Sequence, residues 1–236
     1  MPTVAAVVVL LLLPRDQVGL IRWTAFIASL IPLGLAIALW LRFVPSQPGF
    51  QFEEHYLWFA AINATYHLGV DGISLPMVLL TTILTPLAVL FSFSITERVK
   101  PYMVLFLLLE TGMLGVFMSL DLILFFLFWE VGLIPMYFLI NIWGSANRQY
   151  ASFKFFIYTM AGSVGLLLAT QIIGITLGNF DMVNAFTQWP ALTGSLFGIP
   201  VTTIRTLAFW AFAIAFAIKV PVWPFHTWLN RVFVGI

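Results

Sequence analysis

The sequence contains no cysteine, few charges and few histidines. The absence of cysteine among the 236 residues excludes disulfides, cysteine-ligated iron–sulfur clusters and thiol chemistry within this chain. The three histidines, His55, His67 and His226, are too few and too scattered along the sequence to predict a haem or metal site. We therefore expect neither cofactor nor metal in this chain. A formal net charge of +1 argues against nucleic acid as a partner.

The shortage of charge also defines the class of protein. Charged residues make up 8% of the chain and hydrophobic residues 62%, whereas a soluble domain carries about 25% charged residues. Too little polar surface is present to cover a water-soluble protein of this size. The composition predicts an all-α integral membrane protein in contact with the lipid bilayer.

Apolar runs of about 20 residues predict membrane-spanning helices. Residues 4–13 are apolar but few, and we interpret them as a truncated or tilted first span, with a cleavable signal as the alternative. The further spans, giving about seven in all, are predicted at residues 23–43, 73–93, 102–120, 122–142, 153–177 and 207–220. The last is interrupted by Pro221 and Pro224. We expect loops at 44–69 and 178–203, a surface turn at 180–182, and a helix cap at Asp71.

The basic residues predict the orientation. The loops after the first, third and fifth spans contain six basic residues: Arg15, Arg22, Arg98, Lys100, Arg148 and Lys154. The loops on the opposite side contain two, Arg42 and Arg205. The positive-inside rule places the first set in the cytoplasm and the N-terminus outside.

Three ionisable residues, Glu110, Glu130 and Lys219, lie inside these apolar runs. Each would cost roughly 2.5–3.5 kcal/mol at the bilayer centre, so such groups face the interior of a helix bundle and move ions or protons. Glu110 and Glu130 each lie ten residues from Leu120, which is about 15 Å along a helix and half of a bilayer core of about 30 Å. We expect two level carboxyl groups, which are suited to a proton relay. The alternative is two permanently protonated acids that hydrogen-bond neighbouring helices.

Lys219 precedes a Pro-x-x-Pro interruption of its helix. Such breaks survive in a membrane only where protein or water surrounds them, and in transporters they mark ion sites. Lys219 is therefore a second relay candidate, although a lysine near a helix end also snorkels to the interface. His226, just past the break, either continues the relay or is an ordinary hydrogen-bonding residue.

Several of these segments resemble a known family. The first comprises residues 128–130 and 133–140, and the second residues 154–159. The third comprises residues 216–221, 224 and 226–229, and the fourth residues 68–74. They are similar to the antiporter-like chain M (chain 4) family of proton-pumping NADH:quinone oxidoreductase, respiratory complex I. The resemblance implies that Glu130 is the acid of the fifth helix and that Lys219, on the broken seventh helix, sets its proton affinity. Glu110 matches a fourth-helix acid, and His226 matches the histidine after the break.

The same resemblance implies a subunit of a proton-translocating enzyme without redox chemistry of its own. NADH, flavin, iron–sulfur clusters and quinone are expected on partner subunits. We expect other membrane subunits as partners, and a multi-pass location in the cell inner membrane or a bioenergetic organelle. The implied division is residues 1–100 for helices one to three and 101–236 for an incomplete half-channel of helices four to seven.

The chain departs from the family pattern after Leu229, where the family continues with Pro-Asp-Ala-His. Here seven different residues, 230–236, end the sequence. We interpret this as loss of the second inverted repeat through a frameshift, a gene fragment or a split gene. Three alternatives stay open: a cation/proton antiporter subunit, a membrane-bound hydrogenase subunit, and an assembly fragment that pumps nothing.

Overall fold

The computed structural model describes residues 2–196 and 198–229, and most of these residues are helical. The divergent residues 230–236 lie outside the described part. The helices are α1 Pro2–Leu12, α2 Val18–Arg42, α3 Ser74–Phe91, α4 Val99–Met118, α5 Leu122–Val131, α6 Leu133–Trp143, α7 Arg148–Leu177, α8 Met182–Ala191 and α9 Val201–Lys219. Among the described residues, one two-stranded sheet consists of β1 Gln51–Phe59 and β2 Ala64–Val70, and a second consists of the antiparallel strands β3 Ser195–Leu196 and β4 Ile199–Pro200.

Six helical segments within the described residues are long and apolar enough to cross a membrane. They are α2, α3 with its 3-10 extension to Ser94, α4, α5 together with α6, α7 and α9. Helix α1 has 11 residues and is about 17 Å long, roughly half of a bilayer core. It packs against α2 and α4 through Ala6 and Val9. The all-α membrane class is confirmed.

Both predicted loops contain regular structure, so those two predictions are wrong. Residues 44–69 include β1 and most of β2, joined by a 3-10 turn at Ala60–Ile62. Residues 178–203 include α8 and the β3–β4 hairpin. Eight of the nine β1 side chains are exposed, so its apolar residues give no sign of the buried face that marks a strand in a sequence.

The predicted surface turn at 180–182 is also wrong. Phe180 and Asp181 are buried, at 3% and 7% exposure. The Asp181 carboxylate accepts a hydrogen bond from the Asn184 backbone amide at 2.8 Å and caps α8. An aspartate at this position satisfies an amide that the helix leaves without a partner.

The predicted cap of the third span is confirmed. Asp71 accepts hydrogen bonds from the backbone amides of Ile73 and Ser74, at 3.0 and 2.7 Å. The Ser74 hydroxyl accepts one in return from the Asp71 amide at 2.9 Å. Burial alone would raise the pKa of Asp71, but these hydrogen bonds outweigh it and lower that pKa below 3.8.

The chain forms two compact units that alternate along the sequence. Unit 1 comprises residues 1–53, 69–118 and 128–136, and unit 2 comprises 54–68, 119–127 and 137–236. The core of unit 1 joins α1, α2, α3 and α4 around fully buried residues such as Ile21, Val89, Met103 and Leu107. The division of the chain after residue 100 stays a prediction.

Unit 2 is built on the packing of α7 against α9. A Cβ on Gly162 of α7 would lie 3.1 Å from Ile218 Cδ1 and 3.3 Å from Ala215 Cα. The absence of a side chain at Gly162 therefore lets the two helices approach closely. Helix α9 begins at Val201, six residues before the predicted start, and ends at Lys219.

Candidate functional site

Helix α4 and the segment around Gly132 touch backbone to backbone in unit 1. A Cβ on Gly112 would lie 2.9 Å from the backbone nitrogen of Gly132 and 3.2 Å from its Cα. The Phe128 ring covers Gly115 so closely that a Cβ there would overlap it. Gly132 itself separates α5 from α6. The predicted single fifth helix is thus interrupted where it meets the fourth.

The two candidate glutamates lie beside this contact. Glu110 and Glu130 each precede one of the touching glycines by two residues. Glu110 is fully buried, and Leu107 and Leu114 on the same helix are buried too. Both oxygens of Glu110 and Oε1 of Glu130 are buried and have no hydrogen-bond partner among the described residues.

Lys219 is the last residue of α9, directly before the break. The chain then turns through residues 220–226, which include Pro221 and Pro224. The amide of Val220 donates to the Phe216 carbonyl, and that of Val222 donates to the Ala217 carbonyl, both at 2.8 Å. These bonds satisfy carbonyls that the end of the helix would otherwise leave without partners. Lys219 is partly buried.

Residues past the break attach it to α7. The Trp228 indole donates to the Ile218 carbonyl at 2.9 Å, across the break. The Trp228 ring packs on Phe155, with ring centroids 5.2 Å apart. The Thr227 hydroxyl donates to the Tyr158 hydroxyl at 3.0 Å. A segment without regular helix is therefore held by an aromatic side chain and two hydrogen bonds.

His226 lies in this anchored segment. Its Nδ1 is buried and has no hydrogen-bond partner in the described part of the chain. The structure thus places Lys219 and His226 at one helix break, and it places Glu110 and Glu130 each two residues before a glycine of one helix contact. Their roles in a relay stay predictions.

A polar cluster that the sequence did not predict lies in unit 2. Backbone hydrogen bonds of 2.8 Å join Leu120 N to His67 O, Met182 N to Leu120 O, and Leu122 N to Phe180 O. We call these three paired segments, 67–68, 119–122 and 180–182, the loop junction. They come from the loops after the second, fourth and sixth predicted spans. Those loops therefore lie on one face, as an alternating topology requires.

Asp121 connects the loop junction to two other elements. Its Oδ1 accepts from the amides of Ile123 and Leu124, at 2.9 and 3.1 Å, and so caps α5. Its Oδ2 accepts from the amide and the hydroxyl of Thr65, at 2.9 and 3.0 Å. Asp121 is fully buried. One carboxylate therefore holds β2 against the start of α5.

The prediction that the histidines are scattered is wrong for two of them. The His55 and His67 rings stack with centroids 4.3 Å apart and an interplanar angle of 19°. His67 Nδ1 lies 2.8 Å from Asp181 Oδ2. The pKa of the neighbouring Tyr66 is raised above its ordinary value of 10, mainly by burial and further by the negative charge of Glu54. The sequence signal that could have found this site is an aspartate directly before a helix, as at Asp121 and Asp181.

Comparisons with known proteins match this chain to a family. Residues 119–236 match the family model described as NADH:quinone oxidoreductase/Mrp antiporter, transmembrane. The matched residues contain Glu130, Lys219, His226, the break after α9 and two segments of the loop junction.

Individual relatives agree with that match. The chain is 44% identical to NADH-quinone oxidoreductase subunit M of Rhodobacter capsulatus over 221 residues, covering 88% of this chain and 41% of the relative. It is 40% identical to the same subunit of Rickettsia felis over 234 residues, covering 97% and 46%. A chain of respiratory complex I from Thermus thermophilus with bound NADH superposes with a TM-score of 0.80 at 25% identity, covering 98% and 45%. The chain thus spans less than half the length of these relatives.

Proposed function

The chain belongs to the NADH:quinone oxidoreductase/Mrp antiporter transmembrane family, and on that premise we propose that it translocates protons as an antiporter-like membrane subunit of an NADH:quinone oxidoreductase. It is a multi-pass inner-membrane protein. The subunit M relatives at 44% and 40% identity favour this function over that of a cation/proton antiporter or hydrogenase subunit. The oxidation of NADH and the reduction of quinone are assigned to partner subunits.

One observation carries the proposal: two glutamates flank a glycine–glycine contact inside an apolar helix bundle. Ionisable residues inside membrane helices are costly, so they mark ion pathways and proton relays. A carboxyl group can take up and release a proton in such a relay. A change in the electrostatic field at such a carboxyl group is then sufficient to make it take up or release a proton.

The family resemblance implies that Lys219, at the break after α9, sets the proton affinity of Glu130. Lysine is a compact cation that loses its proton readily when it is desolvated. At the end of an interrupted helix, Lys219 has both the carbonyl end of α9 and an irregular segment beside it, which is the kind of place where transporters bind ions. His226, two residues after Pro224, supplies a second titratable group in the same segment.

The first test is the substitution Glu130→Gln in the assembled complex. An amide cannot carry the proton, so we expect NADH-driven proton pumping in inverted membrane vesicles to fall to a small fraction of wild type. Glu130→Asp should keep part of it, and Glu110→Gln should reduce it less than Glu130→Gln does. Glu97→Gln, the same chemical change on an exposed turn, is the matched control and should pump normally.

The same vesicles test the break and the alternatives. Lys219→Ala should also impair pumping while the complex stays assembled. Wild-type pumping by an assembled Glu130→Gln complex would show that this carboxyl is structural and would refute the proposal. Pumping that needs sodium ions and persists without NADH would assign the chain to a cation/proton antiporter instead.

A further inference from the structure

Three metal-ligating side chains meet on the face formed by the loop junction. His55, His67 and Asp181 each offer a ligand atom, and these atoms all lie within 4.8 Å of one another. The proton relay described above uses none of them. The three residues come from β1, from β2 and from the residue before α8, so the fold itself brings them together.

Two of the three are held in place before any ligand arrives. His67 and Asp181 are buried, at 4% and 7% exposure. Asp181 uses Oδ1 to cap α8 and directs Oδ2 at the His67 ring. The backbones at both positions are fixed by the loop junction. His55 is exposed and opens the cluster to water, so an ion can enter from solution.

The donor set fits a first-row transition metal. Imidazole nitrogen suits zinc, copper and nickel, whereas calcium and magnesium prefer oxygen alone. Ligand atoms in a tetrahedral zinc site, at about 2.0–2.2 Å from the ion, lie about 3.3–3.6 Å apart. The present spacing of up to 4.8 Å therefore has to close by about 1.3 Å, and the exposed His55 ring has to rotate out of its stack on His67 to direct a nitrogen at the ion.

We propose that His55, His67 and Asp181 bind one Zn²⁺ ion, with a fourth coordination position open to water. The ion would tie the β1–β2 hairpin to the start of α8. It is bound on the face that the basic residues predict to lie outside the cytoplasm.

The test is zinc binding by the purified full chain in detergent, measured by equilibrium dialysis. We expect one Zn²⁺ per chain, and at least a roughly tenfold increase in Kd for His55→Gln and for Asp181→Asn, because loss of even an outer-shell partner of a metal ligand weakens binding by about 10–100-fold. Asparagine is also a good helix cap, so Asp181→Asn should stay folded. His226→Gln removes the third histidine, lies outside the cluster, and should bind zinc as wild type does.

A spectroscopic measurement separates ligation from an indirect effect. With Cu²⁺ as the probe, electron paramagnetic resonance should show hyperfine coupling to two nitrogens in the wild type and to one in His55→Gln. His55 is exposed, so its replacement leaves the core intact. Absence of stoichiometric zinc binding by the folded wild-type chain, or binding unaffected by both His55→Gln and Asp181→Asn, would overturn the proposal.

Discussion

At the scale of single residues, glycine decides where helices touch. Gly112 faces the Gly132 backbone, and Gly162 faces Ala215 and Ile218. Small residues let helix backbones approach in a membrane, where no hydrophobic effect drives helices together. Glu110 of the candidate site is fully buried on the helix that carries Gly112.

Gly112→Ala should destabilise the protein. Its new Cβ would lie 2.9 Å from the Gly132 backbone nitrogen, and a backbone atom cannot rotate away as a side chain can. We expect a loss of roughly 1–3 kcal/mol, as for other overpacked cores, measured by chemical unfolding in detergent. Gly34→Ala is the matched control, because a Cβ there meets nothing within 4 Å. Equal stability of the two variants would contradict the close contact.

Trp228 provides a second test at the residue scale. Trp228→Phe removes the hydrogen bond to the Ile218 carbonyl but keeps most of the packing on Phe155. We expect lower NADH-driven pumping with little loss of assembled complex, because the substitution loosens the break rather than the core. Trp223→Phe, at a residue of the same break that is 79% exposed, should pump normally. Identical pumping by both variants would show that the bond does not matter.

At the scale of elements, the caps hold the short segments in place. Asp121 caps α5 and also bonds Thr65 of β2, while Asp181 caps α8 and contacts His67 of β2. Each carboxylate therefore links a helix to a segment from another part of the chain. These links explain how short strands and a ten-residue helix keep one conformation.

Asp121→Ala should destabilise the loop junction. The substitution leaves the amides of Thr65, Ile123 and Leu124 without their acceptor, at about 1–3 kcal/mol for buried donors. Hydrogen exchange of β2 and the start of α5 should become faster. Asp16→Ala, at an exposed turn, serves as the control and should leave exchange unchanged. Unchanged exchange in Asp121→Ala would show that the carboxylate does not hold these elements.

How much of each element the sequence predicts depends on its signal. The long apolar helices are predicted well, because about 20 apolar residues in a row have few other stable arrangements. The β1–β2 hairpin is missed because its first strand is exposed on most of its length and shows no alternation. The break at Gly132 is missed because a single glycine in an apolar run also fits an uninterrupted helix.

The candidate site is predictable in part for the same reason. Glu110, Glu130 and Lys219 stand out because charge is rare in apolar runs. The cluster of His55, His67 and Asp181 does not, because its members lie far apart in the sequence. Only the folded backbone brings them together.

At the scale of the whole molecule, the arrangement of loops predicts which residues face each side of the membrane. The chain has no cysteine, so single-cysteine variants can be labelled without background. Leu57→Cys on β1 should react with an impermeant maleimide in intact cells. Ala146→Cys, in the turn before α7, should react only after the membrane is permeabilised. The reverse pattern would invert the orientation.

The loop junction also has a consequence for biosynthesis. A chain that is made from its N-terminus places β2 first, then the turn between α4 and α5, then the segment before α8. Each new segment can bond to the one made before it. The Leu120 amide donates to the His67 carbonyl, and the Met182 amide later donates to the Leu120 carbonyl. Assembly on the membrane can therefore proceed in the order of synthesis, with each new segment adding to one that is already present.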